Sequence, residues 1–289
     1  MFGEVLTAMV TPFDENGKLN LKTAQRLARH LIKKGNDGLV LAGTTGESPT
    51  LTLEEKIDLV DAVCDEIKGS GKILVGTGSN STKETIETTK IFEQNTNIDG
   101  VMVVTPYYNK PTQQGIVDHY FKISAVTSLP IMIYNVPKRT GTNIEAQTVK
   151  QLATMENIVA IKEASGDLNQ ISNIHRICKN SINIYSGEDH LTLPMLAVGS
   201  KGVVSVAGHV VSQYIKEMIT EFSVGNTQNA QKINSKLLPV YEALFMESNP
   251  IPVKKAVELL GFEVGNCRPP LTTPTKSTIE SLKNILKEL

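Results

Sequence analysis

Short apolar runs rich in β-branched residues recur along the chain, and between them apolar side chains return at helical spacing. The runs are Val5 to Val10, Gly38 to Ala42, Ile73 to Gly76, Gly100 to Thr105, Ile131 to Asn135, Ile158 to Lys162, Ile182 to Ser186 and Gly202 to Val206. Strands alternating with helices in this way are the signature of repeated βα units and a parallel sheet. Eight runs could also form an open doubly wound sheet. Their near-regular spacing, with no duplicated half, favours closure, so the pattern predicts an α/β fold of the (β/α)8 TIM-barrel class. Helix starts follow the strand ends closely. Thr52 precedes Leu53 with Glu55 three residues on, and Ser81 precedes Thr82 with Glu84 three residues on, both the pattern of a capping box.

Beyond the eighth unit, three further helical stretches run from about Thr227 to Leu289, punctuated by Pro250, Pro252, Pro269, Pro270 and Pro274. The expected organisation is a barrel over residues 1–224 and a helical extension over 225–289. The extension either caps the barrel or serves oligomerisation.

Composition narrows the function. The 289 residues are 40% hydrophobic and 20% charged, an ordinary globular balance able to bury a sizeable core. A formal net charge of -1 with no block of lysine and arginine excludes a nucleic-acid footprint. No apolar run reaches membrane-spanning length, and Glu4 stands where an export signal would carry positive charge, so a cytoplasmic protein is expected. Three widely spaced cysteines fit reduced thiols rather than a disulfide framework. The five histidines show no i, i+4 pair or neighbouring cysteine cluster, so no metal site is expected.

In parallel barrels the loops at the C-terminal strand ends build the mouth, and catalytic groups are sought there. The sixth run, NIVAIKEA, sets Lys162 at the end of an apolar strand. Burial disfavours an ammonium and lowers the amine's pKa, leaving a nucleophile able to attack a ketone such as pyruvate. The alternatives are that Lys162 pairs with Glu163 or snorkels from the rim. The fifth run leads into YNVPKRTG, where Tyr134 can pass protons and Arg139 can hold a carboxylate, or where the two are a packed ring and a solvated charge. The second ends in GTTGE, Gly43 to Glu47, a candidate carboxylate cradle or a helix-capping turn. The third ends in GTGSNS, which lacks the later glycine and acid of a dinucleotide fingerprint and argues against NAD. The fourth ends in TPYYNKP, with Tyr107 and Tyr108 adjacent. One can serve the site while the other meets a partner chain, unless both are rim packing.

Taken in order, GTTGESPT, TPYYNKP, YNVPKRTG, IKEASGD and YSGED closely resemble the dihydrodipicolinate synthase family. This family belongs to the pyruvate-dependent aldolase superfamily that includes N-acetylneuraminate lyase. The resemblance covers essentially the whole chain. It implies that Lys162 forms an imine with pyruvate, whose enamine attacks L-aspartate 4-semialdehyde in lysine and diaminopimelate synthesis, without metal or organic cofactor. It further implies a proton relay of Thr45, Tyr134 and Tyr108, supported by Thr44, with Tyr108 reaching across a dimer interface. Arg139 matches the residue that binds the semialdehyde carboxylate, and Gly187 and Val204 match positions lining the pocket. Family members are commonly homotetramers, built as dimers of dimers.

In members inhibited by lysine, the end product binds between subunits at positions matched by Ser48, Pro49, Leu53, Lys56, Asn80, Glu84 and Tyr107. Leu53 and Lys56 replace histidines of well-known inhibited members, so weak or absent feedback is expected. Two readings compete with the synthase. One is a lyase for sialic acid or another 2-keto sugar acid using the same lysine, against which Thr44, Thr45, TPYYNKP and Arg139 speak. The other is a non-catalytic barrel that binds a small ligand or protein partner.

Overall fold

The computed structural model describes residues 2–95 and 97–289. Its eight strands are hydrogen-bonded in sequence order as a closed barrel, as the eight apolar runs predict. The chain runs β1 (Val5–Ala8), α1 (Leu21–Lys33), β2 (Gly38–Leu41), α2 (Leu53–Ile67), β3 (Lys72–Gly76), α3 (Thr82–Glu93), β4 (Gly100–Val104), α4 (Gln113–Ser124) and β5 (Ile131–Asn135). It continues through α5 (Pro137–Thr140), α6 (Ala146–Leu152), β6 (Ile158–Glu163), α7 (Leu168–Cys178), β7 (Asn183–Ser186), α8 (Thr192–Ala197), β8 (Gly202–Ser205) and α9 (Gly208–Ser223). Three more helices follow: α10 (Thr227–Leu244), α11 (Ile251–Leu259) and α12 (Lys276–Glu288). Several strands stop short of their apolar runs; β2 ends at Leu41 because Ala42 turns to a φ of 50° and leaves the extended region.

Packing divides the chain into two units, Met1–Ile73 with Ser205–Leu289, and Leu74–Val204. In the first, α1 buries Ala24, Leu27, Ala28 and Leu31 along one stripe and packs on α2. Each such fully buried leucine contributes roughly 1.5–3 kcal/mol. Thr52 and Glu55 cap α2 reciprocally, so this expected capping box is present. Helix α10 buries Ala230, Ile233, Leu237, Val240 and Leu244 at helical spacing and packs on α9. The three cysteines are free thiols.

In the second unit the strands are parallel and their residues are mostly buried on both faces, which explains their unbroken apolar character. Ser81 caps α3 by accepting from the Glu84 amide. The Glu84 carboxylate, however, accepts from Ser79 Oγ at 2.7 Å, so only half of the second expected capping box forms. The reason is local: Ser79 offers a hydroxyl donor within reach. Among the described residues no helix is long and apolar enough to cross a membrane, and no three His, Cys, Asp or Glu side chains cluster as metal ligands.

Candidate active site

Strand β6 carries the central side chain. Successive residues of a strand point to opposite faces, so Lys162 and Glu163 diverge although they are neighbours. On one face, Lys162 is only 5% exposed, and its Nζ lies 4.2 Å from the centre of the Tyr134 ring. Tyr134, itself buried, sits directly opposite Lys162 in the β5–β6 register. Burial lowers the Lys162 amine to a pKa of about 8; the Asp189 carboxylate opposes that shift, and the Arg139 guanidinium adds to it.

On the other face, Glu163 is buried and surrounded by donors. Asn135 Nδ2 donates to both of its oxygens at 3.1 Å, the Ser165 amide donates at 2.7 Å and Gln170 Nε2 at 3.0 Å. Burial raises the Glu163 carboxyl above its usual range, while these donors pull it back. The expected alternative of a Lys162–Glu163 pair is thereby disfavoured, because the carboxylate is engaged behind the strand. Asn135 and Glu163 are partners in the same register as Tyr134 and Lys162, so the rear bonds join the same two strands that carry the front pair.

Backbone bonds continue this order past the strand ends. Thr105 donates from both its amide and its hydroxyl to the Tyr134 carbonyl at 3.0 Å. Ala164 N donates to Asn135 O at 2.9 Å, and Gly187 N to Glu163 O at 2.8 Å. Gly187 thus lies against the lysine stem. A Cβ there would sit 3.2 Å from Lys162 Cε and 2.7 Å from Ala164 Cβ. Val204 is buried in β8. Arg139 is exposed on α5, directly after β5, beside Lys138, whose ammonium pairs with Glu188 Oε1 at 3.0 Å.

Tyr107 and Tyr108 part company, as neighbouring positions were expected to. Tyr107 is half-buried, whereas Tyr108 is 88% exposed at a φ of 74°. Asn109 ties this turn to the start of α3 through the Asn80 carbonyl at 2.8 Å, which groups Asn80, Glu84 and Tyr107 in the second unit.

The first unit holds Thr44, Thr45, Ser48, Pro49, Leu53 and Lys56. Thr45 is buried and Thr44 half-buried in the turn after β2. The amides of Glu47 and Ser48 already donate to the carbonyls of Thr44 and Gly43, so these two are unavailable to a carboxylate in the cradle expected of GTTGE. Glu47 adopts a left-handed φ of 57°, and its buried carboxylate accepts from Lys254 Nζ at 2.7 Å and Arg268 N at 2.8 Å. Asn249 Nδ2 donates to Thr45 Oγ1 at 2.9 Å. Sequence reasoning missed Asn249, Lys254 and Arg268, because nothing near them in the chain signals a partner some 200 residues away.

Comparison with known proteins gives the family and supports the fold. A curated 4-hydroxy-tetrahydrodipicolinate synthase from Desulforudis audaxviator is 51% identical over 287 residues, covering 99% of this chain and 97% of the relative. The crystal structure of a dihydrodipicolinate synthase from Bacillus anthracis superposes with a TM-score of 0.97 at 43% identity, covering 100% of this chain and 99% of that one. That of the enzyme from Cyanidioschyzon merolae with lysine bound gives 0.97 at 45% identity, over 99% and 97% of the two chains. Residues 1–289 match the dihydrodipicolinate synthetase family throughout, and the chain belongs to that family.

Proposed function

We propose that the chain condenses pyruvate with L-aspartate 4-semialdehyde through a Schiff base on Lys162, giving 4-hydroxy-tetrahydrodipicolinate on the way to diaminopimelate and lysine. The observation that carries this reading is the buried amine at the end of β6, drawn down to a pKa of about 8 against the Tyr134 ring. At pH 7 roughly one such amine in ten is uncharged, against about one in three thousand for an ordinary lysine. That difference decides whether a ketone is attacked at a useful rate.

The Lys162 nitrogen adds to C2 of pyruvate, and loss of water leaves the imine. Removal of a C3 proton gives the enamine, with the imine nitrogen taking up the electron pair, so no metal or organic cofactor is needed. C3 then bonds to the aldehyde carbon of the semialdehyde, whose oxygen is protonated. The semialdehyde's own amine attacks C2, closes the ring and frees Lys162. Tyr134, Thr45 and Tyr108 pass the protons and Thr44 supports them; Arg139 holds the semialdehyde carboxylate, and Gly187 and Val204 line the pocket. That full-length relatives at 50–51% identity are 4-hydroxy-tetrahydrodipicolinate synthases favours this reading over a sialic acid lyase.

The same reading takes the chain as a cytoplasmic homotetramer of paired dimers, with a catalytic barrel over residues 1–224 and a helical extension over 225–289. Feedback by lysine at the positions Ser48, Asn80, Glu84 and Tyr107 is weak or absent, because Lys56 sets a like charge near the ligand's ammonium. The test is reduction with borohydride in the presence of pyruvate, read by mass. One pyruvate-derived adduct on Lys162 is expected in the wild type and none in Lys162→Arg, whose guanidinium stays protonated. An unmodified wild type, or an adduct that persists in Lys162→Arg, overturns the assignment.

A further inference from the structure

The C-terminal segment reaches back to the turn after the second strand. Within the first packing unit it sends three side chains to the turn that carries Thr44 and Thr45. Lys254 and Glu47 form an ion pair in which both side chains are nearly sealed from solvent, 2% and 1% exposed. Arg268 donates from its backbone to Glu47 and from its guanidinium to the Thr50 carbonyl and to Glu55. Its guanidinium also lies 4.2 Å from the centre of the Phe13 ring, with Lys254 Nζ 4.1 Å from the same ring. These contacts fix the backbone of the turn but touch neither threonine hydroxyl.

Asn249 does. Its Nδ2 donates to Thr45 Oγ1 at 2.9 Å, between two side chains that are 8% and 2% exposed. A threonine hydroxyl has one hydrogen to give and lone pairs to receive. Once Asn249 supplies the hydrogen on one side, the hydroxyl's own hydrogen is directed to an acceptor elsewhere. A relay through a hydroxyl needs that polarity settled before the substrate arrives, since an undirected hydroxyl spends part of its time pointing the wrong way.

We propose that Asn249, on the segment between α10 and α11, is a positioning residue for the reaction: it donates to Thr45 Oγ1 and thereby sets the direction in which Thr45 passes a proton. The extension is then a working part of the active site. This inference rests on the relay role proposed above for Thr45. It does not alter imine formation itself, which belongs to Lys162.

Asn249→Asp tests it in the full-length protein, because the two side chains have nearly the same shape but a carboxylate accepts where the amide donates. The expected result is a fall in kcat of about tenfold or more, the lower range for misplacing a proton-transfer group, with KM for pyruvate within about threefold of wild type. Borohydride trapping of pyruvate on Lys162 is expected to equal that of the wild type. In a Thr45→Val background, which removes the hydroxyl, Asn249→Asp is expected to cause no further loss. Wild-type kcat in Asn249→Asp overturns the proposal, since it would mean that the amide is turned over and accepts from Thr45. So does a loss that is undiminished in the Thr45→Val background, or one that removes trapping along with turnover, for then Asn249 only packs the turn. If the wild type itself traps no pyruvate, the Lys162 assignment falls and takes this one with it. Normal trapping beside a fully active Asn249→Asp sinks this inference alone.

Discussion

An ammonium buried beside an aromatic ring destabilises the fold that holds it, and Lys162 shows in which direction pH moves that effect. Its pKa is about 8 in the folded chain against an ordinary value of 10.5. Between those two values the unfolded chain holds a proton that the folded chain has lost, so the free energy of unfolding rises with pH across that window. Below pH 8 both states are protonated and the full penalty stands, on the order of 3 kcal/mol. Lys162→Met is therefore expected to raise the melting temperature at pH 7, with a gain that shrinks as pH climbs through 8 toward 10.5. Melting curves of the two proteins at pH 7 and pH 10 check this, and a gain indifferent to pH would contradict it. Lys162 was legible in the sequence because a charged residue ending an apolar strand is conspicuous. Glu163 was not: from sequence it was only a candidate partner for its neighbour. Its actual partners, Asn135 and Gln170, come together only when β5, β6 and α7 pack.

At the scale of elements, the paired strand ends β5 and β6 have a chemical side and a clamped side. Every neighbour that reaches the Glu163 carboxylate from Asn135, Ser165 and Gln170 is a donor, so an amide there would set one donor against another. Glu163→Gln is expected to cost about 1–3 kcal/mol, measured as a lower denaturant midpoint with an unchanged slope. Pyruvate trapping should slow as the Tyr134–Lys162 alignment loosens. A variant as stable as wild type would show that the rear bonds do not hold the register. The strands themselves were readable to within a residue or two, because a strand buried on both faces must be continuously apolar. Strand ends were harder, since Ala42 leaves the sheet through its backbone angle and not through any change in hydrophobicity. The GTTGE turn stood out in the sequence as a Gly-flanked turn carrying two hydroxyls. Its bracing did not, because Asn249, Lys254 and Arg268 look like ordinary helix-end residues until the chain folds back.

For the molecule as a whole, Tyr108 argues for association. A tyrosine held at a φ of 74° carries a backbone penalty of roughly 1–2 kcal/mol, and here the ring it displays is 88% exposed. The Tyr108 amide donates to the Thr140 carbonyl at 3.2 Å, which holds the turn, and in the proposed dimer a second copy would receive the ring. Specific activity is accordingly expected to fall on dilution in step with the loss of the larger species in sedimentation. Tyr108→Ala should impair turnover more than it impairs pyruvate trapping. Undiminished activity of a demonstrated monomer would remove Tyr108 from the relay. The pairing of Glu47 with Lys254 has a different consequence, one of timing. The two residues stand 207 positions apart, and a chain on the ribosome has completed every strand before the lysine is made. Until then Glu47 lacks the cation that accompanies it in the folded interior. The corner that follows the second strand, among the earliest parts to be synthesised, is therefore among the last to reach its mature shape.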